Sequence, residues 1–357
     1  MLRLLFLNLI IILSIIIALI GSLELTSYMM LKNNEESKHY FLQEKKRYKE
    51  KIYPADIWGR KSDKILGYIN RPNSKINLKG TIMRRENNDS TWVVSEVYCD
   101  KYAHTDEFSR RIVPFHETDQ ISDEYLLFFG GSRTFGYGVN DDETYPYYVS
   151  RDLGIKSFSY SASGWGPGQF LALLQKKEDY FNFDEKSGTA IYYMIPGHIH
   201  RLRGFYPQYH NSSYPKFDYD DERIVYKGNH VNDKFNIWEF LQKNSYSFKY
   251  FYKNVQPILY YDYSFTADVI KEIEILLNEK SIASRLVVVL SDGFGTEWKN
   301  KIIPYINNKD IEYIDLKELF PLETPYILHD LDSHLSPLGN QILANSIVEY
   351  FRETNDL

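Results

Sequence analysis

An α/β architecture, with a parallel sheet of about five strands and helices on both faces, is the fold class this sequence predicts. Three observations predict it. From residue 122 onward, short apolar runs alternate with amphipathic stretches, as in βα units. Leu286-Val287-Val288-Val289-Leu290 is apolar without a break, as suits a strand covered on both faces. The first run, Tyr125-Leu126-Leu127-Phe128-Phe129, ends directly in Gly130-Gly131-Ser132. That turn lies at the carboxyl end of a strand, where open parallel sheets bind ligands.

Taken in order, Leu4 to Leu23 carries no charged residue and is dominated by Leu and Ile. About 20 such residues at helical rise cross a bilayer core, so residues 1–31 are expected to form a single-pass membrane anchor. The run is long for a signal peptide and no small-x-small site follows it, which favours an uncleaved helix. Only Arg3 precedes the span, while Lys45, Lys46, Arg47, Lys49 and Lys51 follow it among Glu35, Glu36 and Glu44. Positive-inside counting pulls weakly towards a cytoplasmic body. A short tail before the span and a long body after it is the layout of an exported domain, and an extracytoplasmic body is the expectation.

Residues 32–56 are charged and read as a stalk. Residues 57–121 form a small β-rich lead-in, punctuated by Gly67, Pro72 and Gly80, with a strand over Thr91–Tyr98. Residues 122–357 are the main domain. After its first strand come a helix at 143–153, a strand at Ser157–Tyr160, a helix near 167–178 and a strand at Ala190–Ile195. Val269, Ile270, Ile273, Leu276 and Leu277 share a helical face. The strand at Leu286–Leu290, a weaker one at Ile311–Ile314 and a helix from Pro337 to Phe351 complete the pattern. Residues 198–262, rich in Tyr, Phe and Lys, interrupt it as an insertion beside the site, with a helix-like stretch near 234–252.

The net charge of −6, with no basic stripe, argues against a nucleic-acid partner. Cys99 is the sole cysteine, which excludes an intrachain disulfide and a multi-cysteine zinc site. His104, His116 and His329 lack metal-ligand spacing, so neither metal nor cofactor is expected. Aromatic residues make up 16% of the chain, 31 of them Tyr. They are either core packing or platforms for sugars.

Two residues carry nucleophilic chemistry. Ser132 follows the first strand, and glycines around it allow a sharp turn and bring N–H groups near a reacting carbonyl. Neither a Walker A loop nor a dinucleotide glycine pattern is present. A serine needs a neutral imidazole to take its proton and an acid to orient that imidazole. His334 and Asp332 can supply both from one loop, with Asp330 as a second choice of acid. Asp141, Asp142 and Glu143 suit a helix start. Asp292 and Gly293 end the fourth strand near the site.

Phe129-Gly130-Gly131-Ser132-Arg133-Thr134-Phe135-Gly136, with Val139-Asn140-Asp141-Asp142-Glu143-Thr144-Tyr145-Pro146, resembles the first block of the SGNH (GDSL-type) hydrolase family. Ser161-Ala162-Ser163-Gly164-Trp165-Gly166-Pro167-Gly168-Gln169 is similar to its second block. Asp332-Ser333-His334 with Pro337-Leu338-Gly339 resembles its last. The resemblance covers roughly residues 122–352. It implies a flavodoxin-like three-layer sandwich, Ser132 as nucleophile, His334 as base, Asp332 as acid, and the Ser132 and Gly164 N–H groups as oxyanion donors. Gly131 stands where the family usually has Asp. The acid is two residues before His334, where many members place it three before. Ile195-Pro196-Gly197-His198-Ile199-His200-Arg201 lacks the Asn donor of the third block. His198 can stand in as a donor or substrate contact, or be a structural histidine at the strand end. Arg133, Trp165 and Arg201 are the candidate substrate contacts.

The function expected from the resemblance is ester hydrolysis or acyl transfer on an acylated glycan or small ester, with a membrane acyl-transfer protein as a further partner. The other class of reading is a catalytically weak binding or assembly protein of polysaccharide biosynthesis.

Overall fold

The structure is a computed structural model. It describes residues 18–29, 50–53, 59–85, 92–116, 123–181, 183, 187–204, 214–230, 245–248, 261–291, 296–317, 319, 321, 323–330 and 332–354. The chain divides into two compact units, Met1–Lys51 with Asp233–Tyr261, and Ile52–Asn232 with Asp262–Leu357.

In the smaller unit, residues 18–29 are helical. The Glu24 carboxylate accepts hydrogen bonds from the Ser245 hydroxyl and, at 2.6 and 3.1 Å, from the N–H groups of Tyr246 and Ser247. No helix among the described residues is long and apolar enough to cross a membrane. Residues 4–17 of the expected anchor, most of the expected stalk, and most of the helix expected near 234–252 lie outside the described residues.

The larger unit opens with two hairpins. Arg60–Asp63 (β1) pairs antiparallel with Gly67–Asn70 (β2), and Lys75–Arg85 (β3) with Trp92–His104 (β4). The strand expected to end at Tyr98 runs on to His104, because its partner keeps pairing down to Lys75. The α/β body then follows as Glu124–Gly130 (β5), Ser132–Phe135 (α1), Tyr145–Leu153 (α2), Lys156–Ser161 (β6), Pro167–Lys176 (α3), Ser187–Met194 (β7) and Gly197–Arg201 (α4). A hairpin of Pro215–Asp220 (β8) and Arg223–Asn229 (β9) lies in the expected insertion. Tyr263–Glu279 (α5), Arg285–Leu290 (β10), Glu297–Asn307 (α6), Tyr313–Asp315 (β11), Ile327–His329 (β12), Asp332–Leu335 (β13) and Pro337–Thr354 (α7) complete it.

Five strands form one parallel sheet in the order β11-β10-β7-β5-β6. Numbered along the chain that is 5-4-3-1-2, the flavodoxin-like order, with its switch point between β5 and β7. Alternate side chains serve opposite faces. Leu126, Phe128, Ile191, Tyr193, Val287 and Val289 pack on Tyr145 and Val149 of α2 and on Leu343, Ile347 and Phe351 of α7. On the other face Phe129 stacks between Tyr160 and Phe170 of α3, and α3 packs on α5. Many of the chain's aromatic rings are therefore core.

Two boundaries differ from expectation for local reasons. Asp141–Glu143 is a separate 3₁₀ turn, and α2 starts at Tyr145 because Thr144 Oγ1 caps it by accepting from Tyr147 N at 3.2 Å. The last strand starts at Tyr313, since Ile311 still closes the end of α6 with its N–H on Ile306 O at 3.2 Å.

Candidate active site

The first strand delivers Ser132 through a turn with no spare room. A Cβ at Gly130 would lie 2.0 Å from Thr134 Oγ1. A Cβ at Gly131 would stand 3.0 Å from the Trp165 carbonyl, 3.1 Å from His198 Nε2 and 3.3 Å from Arg201 Nη1. Ser132 is the first residue of α1 and is half-buried. Its N–H, at a helix start, has no partner within the helix.

Asp332 and His334 come from β13, a short strand folded back on β12. The Asp332 carboxylate is bonded through Oδ1 to His334 Nδ1, and Oδ1 also accepts the His334 backbone N–H at 3.1 Å. Asp332 is buried. Burial alone would raise its pKa. The adjacent His334 charge, the His334 bonds and the Tyr98 hydroxyl override burial and hold it down at about 2. Asp332 is therefore a carboxylate at neutral pH.

Tertiary contacts join the elements that carry Ser132 and His334. Helix α1 packs on β13. Arg133 Nη2 donates to the Ser333 carbonyl at 2.8 Å, one residue from the imidazole. The Tyr137 ring lies 4.6 Å from the His334 ring, centroid to centroid. Ser132 Oγ makes no hydrogen bond to a described residue, a common state of free active sites that tighten on substrate.

After the second strand, Gly164 takes φ +87 in a tight turn, a backbone conformation that favours glycine. Trp165 Nε1 donates to the Tyr68 carbonyl at 3.1 Å, Tyr68 Oη donates to Ser163 O at 2.7 Å, and Asn70 Nδ2 donates to Ser161 O at 2.9 Å. The β-rich lead-in thus fixes the loop that presents Gly164. The lead-in also bolts the loop after Ser132. The fully buried Arg111 donates to the carbonyls of Phe135, Gly136 and Val139 and pairs with Asp141 at 3.0 Å.

The third strand ends at the switch point and delivers His198. This side chain is 1% exposed. Its Nδ1 shares a hydrogen bond with Tyr192 Oη at 2.7 Å, and its buried Nε2 has no hydrogen-bond partner among the described residues. Burial first, then the charges of Arg201 and His200, push its pKa well below the ordinary histidine range. The ring is neutral, carries one N–H, and faces the space beside Gly131.

Each of the expected substrate contacts Arg133, Trp165 and Arg201 hydrogen-bonds within the protein. All three are buried. Arg133 holds β13, Trp165 holds the lead-in, and Arg201 Nη1 donates to Trp165 O at 2.5 Å. Asp330 lies outside β13 and makes none of the bonds to His334 that Asp332 makes. Asp292 and Gly293 lie outside the described residues. Sequence reasoning missed Tyr98, Tyr68, Asn70 and Arg111, because no local pattern links a lead-in strand to a loop far along the chain.

No family model matches the chain, and no curated protein does. Solved structures show distant likeness. A member of the lipolytic protein G-D-S-L family from Veillonella parvula is 9% identical with a TM-score of 0.37, covering 64% of this chain and 98% of that one. An acetyl xylan esterase from the rumen bacterium Butyrivibrio proteoclasticus is 12% identical with a TM-score of 0.38, covering 86% and 98%. A carbohydrate esterase family 2 enzyme with a carbohydrate binding domain, from Corynascus thermopiles (Myceliophthora fergusii), is 10% identical with a TM-score of 0.40, covering 78% and 77%.

Proposed function

We propose that this chain is a serine-dependent carboxylester hydrolase or acyl transferase of the SGNH type, acting on an acylated carbohydrate or a related small ester. The observation that carries the reading is the preformed Asp332–His334 pair, on a strand packed against the helix that begins with Ser132. Ser132 Oγ attacks the acyl carbonyl carbon while His334 Nε2 takes its proton. Asp332 keeps the Nδ1–H in place and stabilises the imidazolium. The N–H groups of Ser132 and Gly164 hold the oxyanion. His198 Nε2–H is the third donor, in the role the family gives to Asn, with the Tyr192 hydroxyl donating to Nδ1 and so fixing the tautomer. Collapse expels the alkoxide, which takes the proton from His334. Water, or a sugar hydroxyl, then releases the acyl group from Ser132. A membrane anchor in residues 1–31, an extracytoplasmic body and a membrane acyl-transfer partner belong to the same proposal.

The test is acyl-enzyme formation. With p-nitrophenyl acetate the wild type should turn over and show an acetyl mass shift at Ser132, and Ser132→Ala should do neither. Equal rates for the two proteins, with no mass shift, would overturn the enzyme reading in favour of a binding or assembly protein. Acetylated sugars offered with and without an acceptor sugar then separate hydrolysis from transfer. Fractionation of cells expressing the full chain, and of cells expressing it without residues 1–31, tests the anchor.

A further inference from the structure

Tyr98 belongs to β4 of the lead-in, and Asp332 to the second-last element of the chain. Tyr98 Oη nevertheless donates to Asp332 Oδ2 at 2.7 Å. The two carboxylate oxygens are thereby divided. Oδ1 serves the imidazole and backbone of His334, and Oδ2 serves the phenol. Burial first, and then the Asp332 charge, push the Tyr98 phenol far above its ordinary pKa. It therefore stays protonated and always donates. Space is made for its ring on the neighbouring strand. A Cβ at Gly80 would lie 2.2 Å from Tyr98 Cζ, and the pairing shifts register there, between Gly80 and Thr81. The His329 ring closes the other side at 5.6 Å between centroids.

We infer that Tyr98 is a positioning residue of the acyl-transfer site, through which the β-rich lead-in fixes the rotamer of the catalytic acid. This rests on the serine-enzyme reading above. A carboxylate held through one oxygen can swing about its bond, whereas one held through both presents Oδ1 to the imidazole at a fixed angle. The gain appears in the transition state, where the imidazolium forms and needs its counter-charge in place.

Tyr98→Phe in the full chain removes only the hydroxyl. It should lower kcat on p-nitrophenyl acetate about ten-fold with KM unchanged, because a lost hydrogen bond to a charged group is worth about that much. Inactivation by a fluorophosphonate at Ser132 should slow by the same factor. In an Asp332→Asn background, adding Tyr98→Phe should change neither rate, since the group through which it acts is gone. Losses that multiply in the double variant would show a merely structural role and overturn the inference, as would a single variant as fast as wild type. A wild type that is not labelled by fluorophosphonate and forms no acyl-enzyme would instead sink the underlying serine-enzyme reading. Should Tyr98→Phe fold poorly, Gly80→Ala, which displaces the same ring, provides the same comparison in both backgrounds.

Discussion

His198 and Gly131 explain each other. A Cβ at Gly131 would be tight against the Trp165 carbonyl at 3.0 Å and His198 Nε2 at 3.1 Å. The same packing sets the neutral His198 imidazole beside the turn that leads into Ser132, as the third oxyanion donor of the proposed function. His198→Ala should therefore lower kcat about 100-fold, the usual cost of one oxyanion donor, with little change in KM. Steady-state kinetics on p-nitrophenyl acetate measure this, and an unchanged kcat would leave His198 a packing residue. Asp332 carries a second prediction, about acid stability. Its folded pKa lies below the unfolded one, so its contribution is complete above the unfolded value and is lost as pH falls through about 2. The stability gap between wild type and Asp332→Asn, up to about 2 kcal/mol, should be present at about pH 4 and close towards pH 2. Urea titrations across that range test it.

At the scale of elements, β13 can present His334 only if α7 starts close beneath it. Ser336 caps that helix by accepting the Gly339 N–H at Oγ at 3.2 Å, and Pro337 takes its first turn. Asn340 binds the carbonyls of Leu335 and Ser336 and receives the Tyr145 N–H at 3.1 Å, which ties α7 to α2. Gly339 sits where a Cβ would lie 2.1 Å from the Tyr326 carbonyl oxygen. That contact is with backbone and cannot relax cheaply. Gly339→Ala should cost about 1–3 kcal/mol by overpacking, read from the shift of the urea midpoint. It should also reduce turnover in the surviving folded protein, because the β12–β13 hairpin must move.

Across the whole molecule, the lead-in is part of the site. Arg111 donates to three carbonyls of the loop after Ser132 and pairs with Asp141, and its N–H pairs with Ser159 at the edge strand. Removing Arg111 strips a charged donor from these buried groups, so Arg111→Met should destabilise by about 3–5 kcal/mol, measured by chemical denaturation. A variant as stable as wild type would show that water satisfies those carbonyls equally well.

The main sheet was legible in the sequence because each strand's burial is written in its own residues. Leu286–Leu290 is apolar on both sides, and Gly130-Gly131-Ser132 marks a turn whatever surrounds it. The Asp332–His334 pair was legible for the same reason, since two residues of one short strand lie within reach of each other. Tertiary structure decided what depends on distant partners. Trp165 and Arg201 are buried and bond to Tyr68 O and Trp165 O, partners that no local pattern names. His198 gains its meaning from the orphaned Nε2, which only packing creates. Tyr98 meets Asp332 across 234 residues of chain. Periodicity reports a residue's own face, and no periodicity reports which distant side chain will satisfy a buried polar atom.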